Sequence, residues 1–280
     1  MIDYLVIGHI CADLQPDGTI RLGGTGLFAS LTAHRLGLRT AVVTACADDF
    51  ALSVLPADLH VLRQTSPATT IFENRYVDGG RIQTLHARAE TIELGPDCAA
   101  LPASWQKAPI VHLAPIIQEV QKDGCKLFGG ALVGATPQGW LRTIHPSKLV
   151  TTDPATLVDL PWVGGEVVVL SEEDVQHDES LVRQLAKMLP LVVLTRAERG
   201  ATVFIAGEGT DVPAYHADVV DPTGAGDVFA AAFFAALQQG GDPIHAARWA
   251  CAAAACSLEG FGASALPTPE DVHRRMTPRR

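Results

Sequence analysis

The sequence lacks the features that mark membrane proteins and nucleic-acid-binding proteins. Lys and Arg total 21 against 31 Asp and Glu, so the formal net charge is −10. A surface of this sign repels phosphate backbones and anionic lipids, and we expect no nucleic acid and no membrane partner. The Ala-rich stretch at 249–258, WACAAAACSL, is far shorter than the roughly 20 apolar residues of a membrane span. It is predicted to be a buried helix.

Cysteine is also scarce, and its placement excludes two kinds of site. The six cysteines, at positions 11, 46, 98, 125, 251 and 256, form no CxxC pair and do not cluster with histidine. Neither a zinc site nor a redox motif is indicated, and reduced, mostly buried thiols are expected. The first residues, MIDYLVIGHI, carry no basic segment and no small-residue cleavage site, which predicts a cytoplasmic protein.

Short apolar runs alternate with helical patterns along the chain. Strand-like runs bounded by Gly or Pro are YLVIG, TAVVTAC, IVHLA, KLVTTD, EVVVLS and LVVLT. This alternation predicts one α/β domain over residues 1–280, built on a doubly wound, mostly parallel sheet flanked by helices. Helices are predicted at 227–239, 242–258 and 268–276.

Two β-rich segments depart from this alternation. They lie at about 11–24 and 69–88, and in the second an Asp-Gly-Gly turn separates two runs rich in β-branched and aromatic residues. A small sheet made from them could cover a cleft as a lid, with Gly23 and Gly24 as hinges. An ordinary surface hairpin is the alternative.

Residues 221–227, DPTGAGD, carry the strongest chemical signal. Gly224 and Gly226 allow close approach to a ligand, and Ala225 adds little bulk. The amides of this turn open an apolar helix, so the helix dipole favours an anion there, a phosphoryl group in particular. Asp227 fits beside it if its carboxylate removes the proton from an attacking hydroxyl. The alternative role for Asp227 is to charge the first helical turn.

The segment DPTGAGDVFAAAF closely resembles the C-terminal signature of the ribokinase or PfkB family of carbohydrate kinases. Further resemblances lie in VIGHICAD, LGGTGLFASLTAHRLGL, VVLTRAERGATVF and the Gly262-Ala263 pair. The resemblance covers most of the chain and implies a ribokinase-like fold with a β-sheet lid. It also implies ATP and Mg²⁺ as cofactors, and phosphorylation of a small-molecule sugar, polyol or nucleoside.

Roles on the acceptor side follow residue by residue from this resemblance. Asp227 is implied as the catalytic base, with an anion hole made by Gly224, Ala225 and Gly226. Asp13 is implied to accept hydrogen bonds from substrate hydroxyls, with Gly23 and Gly24 framing the pocket. Asp13 could instead be a plain loop carboxylate.

Roles on the donor side are implied in the same way. Thr195 and Gly200 are expected along the ATP phosphates and ribose, although Gly200 could be a plain turn glycine. Thr223 and Gly262 complete the implied cofactor-binding set, and some relatives hold a monovalent cation near Asp221 and Thr223. Homodimerisation through the lid, known in the family, is left open.

The sequence departs from the family in two places. Where members usually carry Asn-x-x-Glu, this chain has Ser171 and Asp174, so Asp174 is the expected magnesium residue. Glu172 or Glu173 could take that role instead. The other alternative is that the whole stretch is a solvated, acidic helix start. Where sugar kinases often have an asparagine, this chain has Phe28, which either packs in the core or forms an apolar pocket wall.

The second departure and the lid bear on the substrate. Phe28, Ser171 and the TTIFEN stretch weakly resemble the myo-inositol kinase branch. In the lid, Glu73, Asn74, Arg75 and Gln83 could contact a polyol, or they could line the wet face of a sheet.

The leading hypothesis is therefore an ATP-dependent sugar or polyol kinase. One alternative is a nucleoside kinase of the same fold, with Phe28 or Phe72 stacked on a base, although only 6% of residues are aromatic. Another is a non-catalytic nucleotide or sugar sensor, which the presence of Asp227 disfavours. A third alternative, a dinucleotide-binding oxidoreductase, is suggested by GGTG at 23–26. It fails because this segment lacks the G-x-G-x-x-G spacing and does not lie at the first strand-to-helix turn.

Overall fold

The computed structural model describes residues 1–77, 80–95, 100–162 and 166–277. Its strands, in chain order, are β1 Tyr4–Ile7, β2 Cys11–Leu14, β3 Ile20–Gly23, β4 Thr40–Cys46, β5 His60–Thr65, β6 Ile71–Val77, β7 Gly80–Ala87, β8 Ile110–Leu113, β9 Leu132–Ala135, β10 Arg142–Ile144, β11 Leu149–Thr152, β12 Val167–Ser171, β13 Leu191–Thr195, β14 Ala201–Ile205 and β15 Glu208–Val212. Its α-helices are α1 Thr25–Arg35, α2 Thr156–Asp159, α3 Glu179–Met188, α4 Ala225–Gln238, α5 Pro243–Ser257 and α6 Pro269–Met276.

A nine-stranded sheet forms the centre of the molecule, in the order β15-β14-β13-β12-β9-β8-β1-β4-β5. Neighbours from β13 to β5 pair in parallel, and only β14 and β15 add antiparallel pairs at one edge. The central strands are apolar and buried along their length, as YLVI in β1 and TAVVTAC in β4 show. Strands covered by helices on both faces need this composition, so the predicted doubly wound sheet is confirmed.

The three predicted C-terminal helices are confirmed within two residues at each end. Helix α4 is buried from Val228 to Ala235 because it packs between α1, α5 and the sheet. Helix α5 contains the Ala-rich stretch, and its first turn is capped by Asp242, whose carboxylate accepts the amide of His245 at 3.0 Å. In the described residues no helix combines the length and apolar character of a membrane span.

A six-stranded second sheet stands beside the first, in the order β10-β11-β7-β6-β2-β3. It contains both segments predicted for the lid, although Asp78 and Gly79 of the expected turn lie outside the described residues. The assignment of KLVTTD to the main sheet was wrong. Its strand β11 pairs antiparallel with β7 and β10, because a short hairpin with β10 turns it back toward the second sheet. Only Val150 of its four residues is buried, unlike the central strands.

The connection between the two sheets at residues 8–10 is fixed by a buried carboxylate. Glu119 is inaccessible to solvent and accepts three amides, those of His9 at 3.1 Å, Ile116 at 2.8 Å and Ile117 at 2.7 Å. Backbone donors of this kind satisfy a buried charge. Glu119 therefore ties the strand connection to the loop after β8.

The cysteines agree with the expectation of reduced thiols as far as they are described. Cys11, Cys46 and Cys251 are buried, Cys256 is partly buried, and all four are unpaired. The cysteine at 98 and the side chain of the cysteine at 125 lie outside the described residues.

Candidate active site

A cleft of about 920 Å³ opens where the carboxyl ends of β12 and β13, the second sheet and the start of α4 meet. Ligands of open α/β sheets bind at this end of the strands. The cleft brings together most of the residues singled out in the sequence, namely Asp13, Gly24, Phe28, Thr195, Gly200, Thr223, Gly224, Ala225, Gly226 and Asp227.

The turn before α4 presents backbone donors to this cleft. Gly224 is the N-cap residue, with φ 79° and ψ 0°, and no side chain caps the helix. The amide of Ala225 donates to the carbonyl of Pro222 at 3.3 Å. Within the described residues, no acceptor is recorded for the amides of Gly226 and Asp227. A helix N-terminus with unsatisfied donors is suited to an anion.

Glycine is required at 224 but not, for steric reasons, at 226. A Cβ on Gly224 would lie 2.5 Å from the ring of Phe28, and the positive φ disfavours a side chain as well. A Cβ on Gly226 would meet nothing within 4 Å. Phe28 is only 3% exposed, so it packs in the core against the turn at Gly224. It is also among the residues that line the cleft.

Asp227 lies in the first turn of α4, partly exposed to the cleft. Loss of water around the carboxylate raises the pKa of Asp227 to about 6. A hydrogen bond with Thr25 and the positive charge of Arg142 lower that pKa, and the negative charge of Asp174 raises it. At neutral pH the carboxylate is ionised and can accept a proton.

The second sheet contributes polar groups to the acceptor side of the cleft. Asn74 donates its side-chain amide to Asp13 Oδ1 at 3.4 Å, and Gln83 donates to Asn74 Oδ1 at 2.9 Å. These three residues come from β2, β6 and β7 and all line the cleft. Two carbonyl-type acceptors and a carboxylate in one row suit a ligand with several hydroxyl groups.

Four other expected site residues, Gly23, Glu73, Gly262 and Asp174, do not line the cleft. Gly23 ends β3 and its Cα packs against the Asp13 carboxylate, where a Cβ would not fit. Glu73 is held by His86 at 2.8 Å and lies 3.7 Å from Arg75. Gly262 donates its amide to Asp221 Oδ2 at 3.1 Å, which joins its loop to the loop before α4.

Asp174 is buried and engaged by protein donors. Its Oδ2 accepts the amide and hydroxyl of Ser171 at 2.8 and 2.9 Å, and its Oδ1 accepts a long hydrogen bond of 3.3 Å from Gln138. The expectation of a solvated helix start does not apply to it. In the described part of the chain, no three His, Cys, Asp or Glu side chains form a metal cage.

The neighbouring glutamates differ in availability. Glu172 is paired with Arg196 at 2.7 Å and with Arg199 at 2.5 Å, whereas Glu173 is exposed and lines the cleft. One weakly held oxygen of Asp174 and an exposed Glu173 fit a Mg²⁺ ion held through water molecules, the form in which Mg²⁺ commonly binds beside substrate phosphates.

The part of the cleft next to Gly200 contains apolar side chains beside charged ones. Gly200 has φ 92°, and a Cβ there would lie 2.5 Å from the amide nitrogen of Ala214, so this turn also requires glycine. Arg196, Glu198, Arg199 and His216 line this part of the cleft. Apolar or mostly apolar side chains come from the segment after β15 and from α5 and its end: Ala214, Tyr215, Ala217, Val219, Cys251, Ala254, Ala255 and Leu258. These apolar side chains suit one face of a flat ring.

The C-terminal part of the chain, which contributes many of the cleft residues, matches a known protein family. The profile of the pfkB family of carbohydrate kinases matches residues 166–271, from the start of β12 into α6. Over these residues the chain is similar to the pfkB family of carbohydrate kinases.

Full-length comparisons agree with this kinase family. A cytidine kinase from Thermococcus kodakarensis is 26% identical over 254 residues, 86% of this chain and 90% of that protein. Two solved structures share the ribokinase fold. A pyrophosphate-dependent kinase of the ribokinase family, complexed with a pyrophosphate analog and myo-inositol, has TM-score 0.76 and 22% identity, covering 96% and 99% of the two chains. Ribokinase of Arabidopsis thaliana, complexed with ribose and ATP, has TM-score 0.72 and 20% identity, covering 99% of each chain.

Two residues that line this cleft were not predicted from the sequence. Arg142 comes from β10, an edge strand that carries no motif, and Thr25 is the first residue of α1. For Thr25, its position directly after the glycine pair could have served as a signal. For Arg142 no sequence signal was available, since only the pairing of β10 with β11 brings it to the cleft.

Proposed function

We propose that this protein transfers the γ-phosphoryl group of ATP to a hydroxyl of a sugar or polyol, with Asp227 as the general base. The proposal rests on the first turn of helix α4. Among the described residues the amides of Gly226 and Asp227 meet no acceptor, and the Asp227 carboxylate lies beside them with a pKa of about 6. Unsatisfied donors suit a transferring phosphoryl group, and a nearby carboxylate suits the hydroxyl that attacks it.

The chemical step follows from this arrangement. The acceptor hydroxyl donates its proton to Asp227 while its oxygen forms a bond to the γ-phosphorus. The bond from the γ-phosphorus to the bridging oxygen breaks, and ADP leaves. Backbone amides at the start of α4 stabilise the charge on the phosphoryl oxygens. Mg²⁺ would neutralise the donor phosphates, with its water ligands held by Asp174 and Glu173.

The apolar side chains on the donor side favour ATP over pyrophosphate. Pyrophosphate has no ring to place against Tyr215, Cys251 and Leu258, whereas an adenine ring would bury that surface. Thr195 and Gly200 line the same cleft, and we assign them to the ATP phosphates and ribose. Thr223 and Gly262 belong to the loops that Asp221 joins.

The second candidate is a nucleoside kinase of the same family. The similarity to a cytidine kinase over most of both chains favours it, and so do the rings of Phe28 and Phe72, which both line the cleft. A base stacked on either ring would gain stacking energy, whereas the row of Asp13, Asn74 and Gln83 suits hydroxyl groups in either acceptor.

The test is a measurement of product formation across donors and acceptors. Mg·ATP and Mg·pyrophosphate are each paired with myo-inositol, ribose, fructose, cytidine and adenosine, for the wild type, Asp227→Asn and a matched control, Asp123→Asn. Asp123 is an exposed carboxylate that pairs with Lys126 at 3.5 Å and does not line the cleft. We expect turnover with ATP and one acceptor, normal in the control and reduced in Asp227→Asn. Turnover with pyrophosphate alone would refute the donor assignment.

Two expectations from the family resemblance stay predictions. Both oxygens of Asp221 accept amides, from Thr223 at 2.9 Å and Gly262 at 3.1 Å, so a monovalent cation near Asp221 would share that carboxylate. A potassium titration of kcat tests this. Homodimerisation through the second sheet is tested by light scattering, since its strands carry exposed Ile20 and Ile82.

A further inference from the structure

A buried arginine lies on the acceptor side of the cleft. Arg142, in β10, is only 5% exposed, yet it lines the cleft together with Asp13 and Asp227. Arginine is rarely buried without a purpose, because removing its charge from water is costly unless it is matched by partners. The surroundings of this side chain therefore bear on what the cleft binds.

The guanidinium is held in a defined position. Its Nη1 donates to the carbonyl of Ile116 at 2.6 Å, and its Cζ lies 5.5 Å from the centre of the Phe72 ring. The backbone carbonyl of Arg142 accepts the side-chain amide of Gln118. A planar fork fixed by a carbonyl and an aromatic face is preorganised, so binding a ligand costs little further side-chain entropy.

Arg142 also acts electrostatically on the residue proposed as base. Asp227 is faced by Thr25 from α1, by Arg142 from β10, by Asp174 from the turn after β12 and by Cys11 from β2. Among these four, Arg142 is the one cation. It favours the ionised carboxylate, while Asp174 opposes it.

We propose that Arg142 is a specificity-determining residue that binds an oxygen of the acceptor adjacent to the hydroxyl that Asp227 deprotonates. This inference rests on the proposed function of Asp227. A guanidinium offers paired donors in one plane, so it recognises two neighbouring oxygens better than one. Asp13, Asn74 and Gln83 then contact the remaining hydroxyl groups. The acceptor class is a compact polyol or sugar with a hydroxyl group next to the phosphorylated one.

The test uses variants of Arg142 and a matched arginine. Arg142→Met removes the charge but keeps an apolar stem, and Arg142→Lys keeps the charge but loses the fork. Arg63→Met is the control, because Arg63 also donates to backbone carbonyls, those of Asp48 and Phe50 at 2.8 and 2.7 Å, but lies outside the cleft. Urea unfolding of each variant first establishes that it folds.

Three readouts separate a binding role from a structural one. In Arg142→Met, kcat/KM for the acceptor should fall about 10- to 100-fold, the range for a charged hydrogen bond, with the KM for the donor unchanged. The acid limb of the pH profile should move to higher pH in Arg142→Met and stay in place in Arg142→Lys. An acceptor that lacks the neighbouring hydroxyl should lose little on substitution of Arg142. Each pair consists of an accepted acceptor and its analogue deoxygenated at the carbon next to the phosphorylated position, for example myo-inositol and its monodeoxy analogues.

Each other outcome overturns the inference. Equal losses of kcat/KM for the intact and the deoxygenated acceptor would give Arg142 the same structural role as Arg63. The same conclusion would follow if the acid limb of the pH profile did not move and the variant affected the donor and the acceptor equally. If Arg142→Met does not fold, the comparison of the two acceptors in Arg142→Lys decides the question. Failure of the proposed function looks different, since Asp227→Asn would then retain activity whatever the Arg142 variants do.

Discussion

The environment of Asp227 predicts that removing its charge stabilises the protein while it abolishes catalysis. The pKa of Asp227 is about 6 in the folded chain against 3.8 for an unperturbed carboxyl, so the folded state disfavours the ionised form. A shift of this size corresponds to about 3 kcal/mol at 1.36 kcal/mol per pKa unit. Because the carboxylate is partly exposed to the cleft, we expect about 1–2 kcal/mol in practice.

The sign of the effect depends on pH. A raised carboxyl pKa contributes stability that is fully present below pH 3.8 and is lost as the pH rises through about 6. The wild type therefore carries this cost at pH 8 and not at pH 4. Asp227→Asn, which stays neutral at every pH, should be more stable than the wild type at pH 8 by about 1–2 kcal/mol and nearly equal to it at pH 4.

Urea unfolding of both proteins at pH 4, 6 and 8 measures this difference directly, since all other titrating groups are shared. Kinase activity measured on the same samples should fall about 10²- to 10⁴-fold in Asp227→Asn. A stability difference that does not change with pH, or a less stable Asp227→Asn at pH 8, would refute the assignment of a desolvated carboxylate. A gain of stability with full activity would refute the role as base and leave the electrostatics intact.

Further predictions concern the same turn, the pH profile and the connection between the sheets. Gly224→Ala should destabilise the protein by about 1–3 kcal/mol, measured by urea unfolding, because its Cβ would meet the Phe28 ring at a positive φ. Gly226→Ala should fold normally yet raise the KM for the donor, since its Cβ would enter open space at the start of α4; normal donor kinetics would argue against an anion site there. The wild-type rate should fall below pH 6 as Asp227 is protonated, and a flat profile down to pH 5 would contradict the base assignment. Glu119→Gln should cost about 2–4 kcal/mol in thermal or urea unfolding, because an amide cannot accept all the backbone donors that the carboxylate satisfies.

Local sequence was sufficient where the chemistry lies within one element. The turn and helix at 221–238 have the glycines, the carboxylate and the apolar run in consecutive positions, so the motif and its start at α4 could be predicted together. The central strands and the helices α5 and α6 were also predictable, since their apolar patterns and caps depend on neighbours in the chain.

The local environment of Asp174 was harder to predict from the sequence. Its type and position suggested a magnesium residue, but the hydrogen bonds from Ser171 and Gln138 that occupy it depend on geometry. Gln138 is 36 residues away in the sequence. A short acidic stretch such as SEED does not reveal which carboxylate is paired with arginine and which is exposed.

Contiguous residues and short-range periodicity were enough to predict the resemblance to the pfkB family, the main sheet and the phosphate-side turn. The pairing of β11 within the second sheet and the position of Arg142 in the cleft beside Asp227 depend on long-range contacts and could not be predicted. The row of Asp13, Asn74 and Gln83 depends on such contacts as well, because its members come from three strands. Strand pairing is a long-range property, and the acceptor side of the cleft is built from it, whereas the donor turn is built from neighbours in the chain.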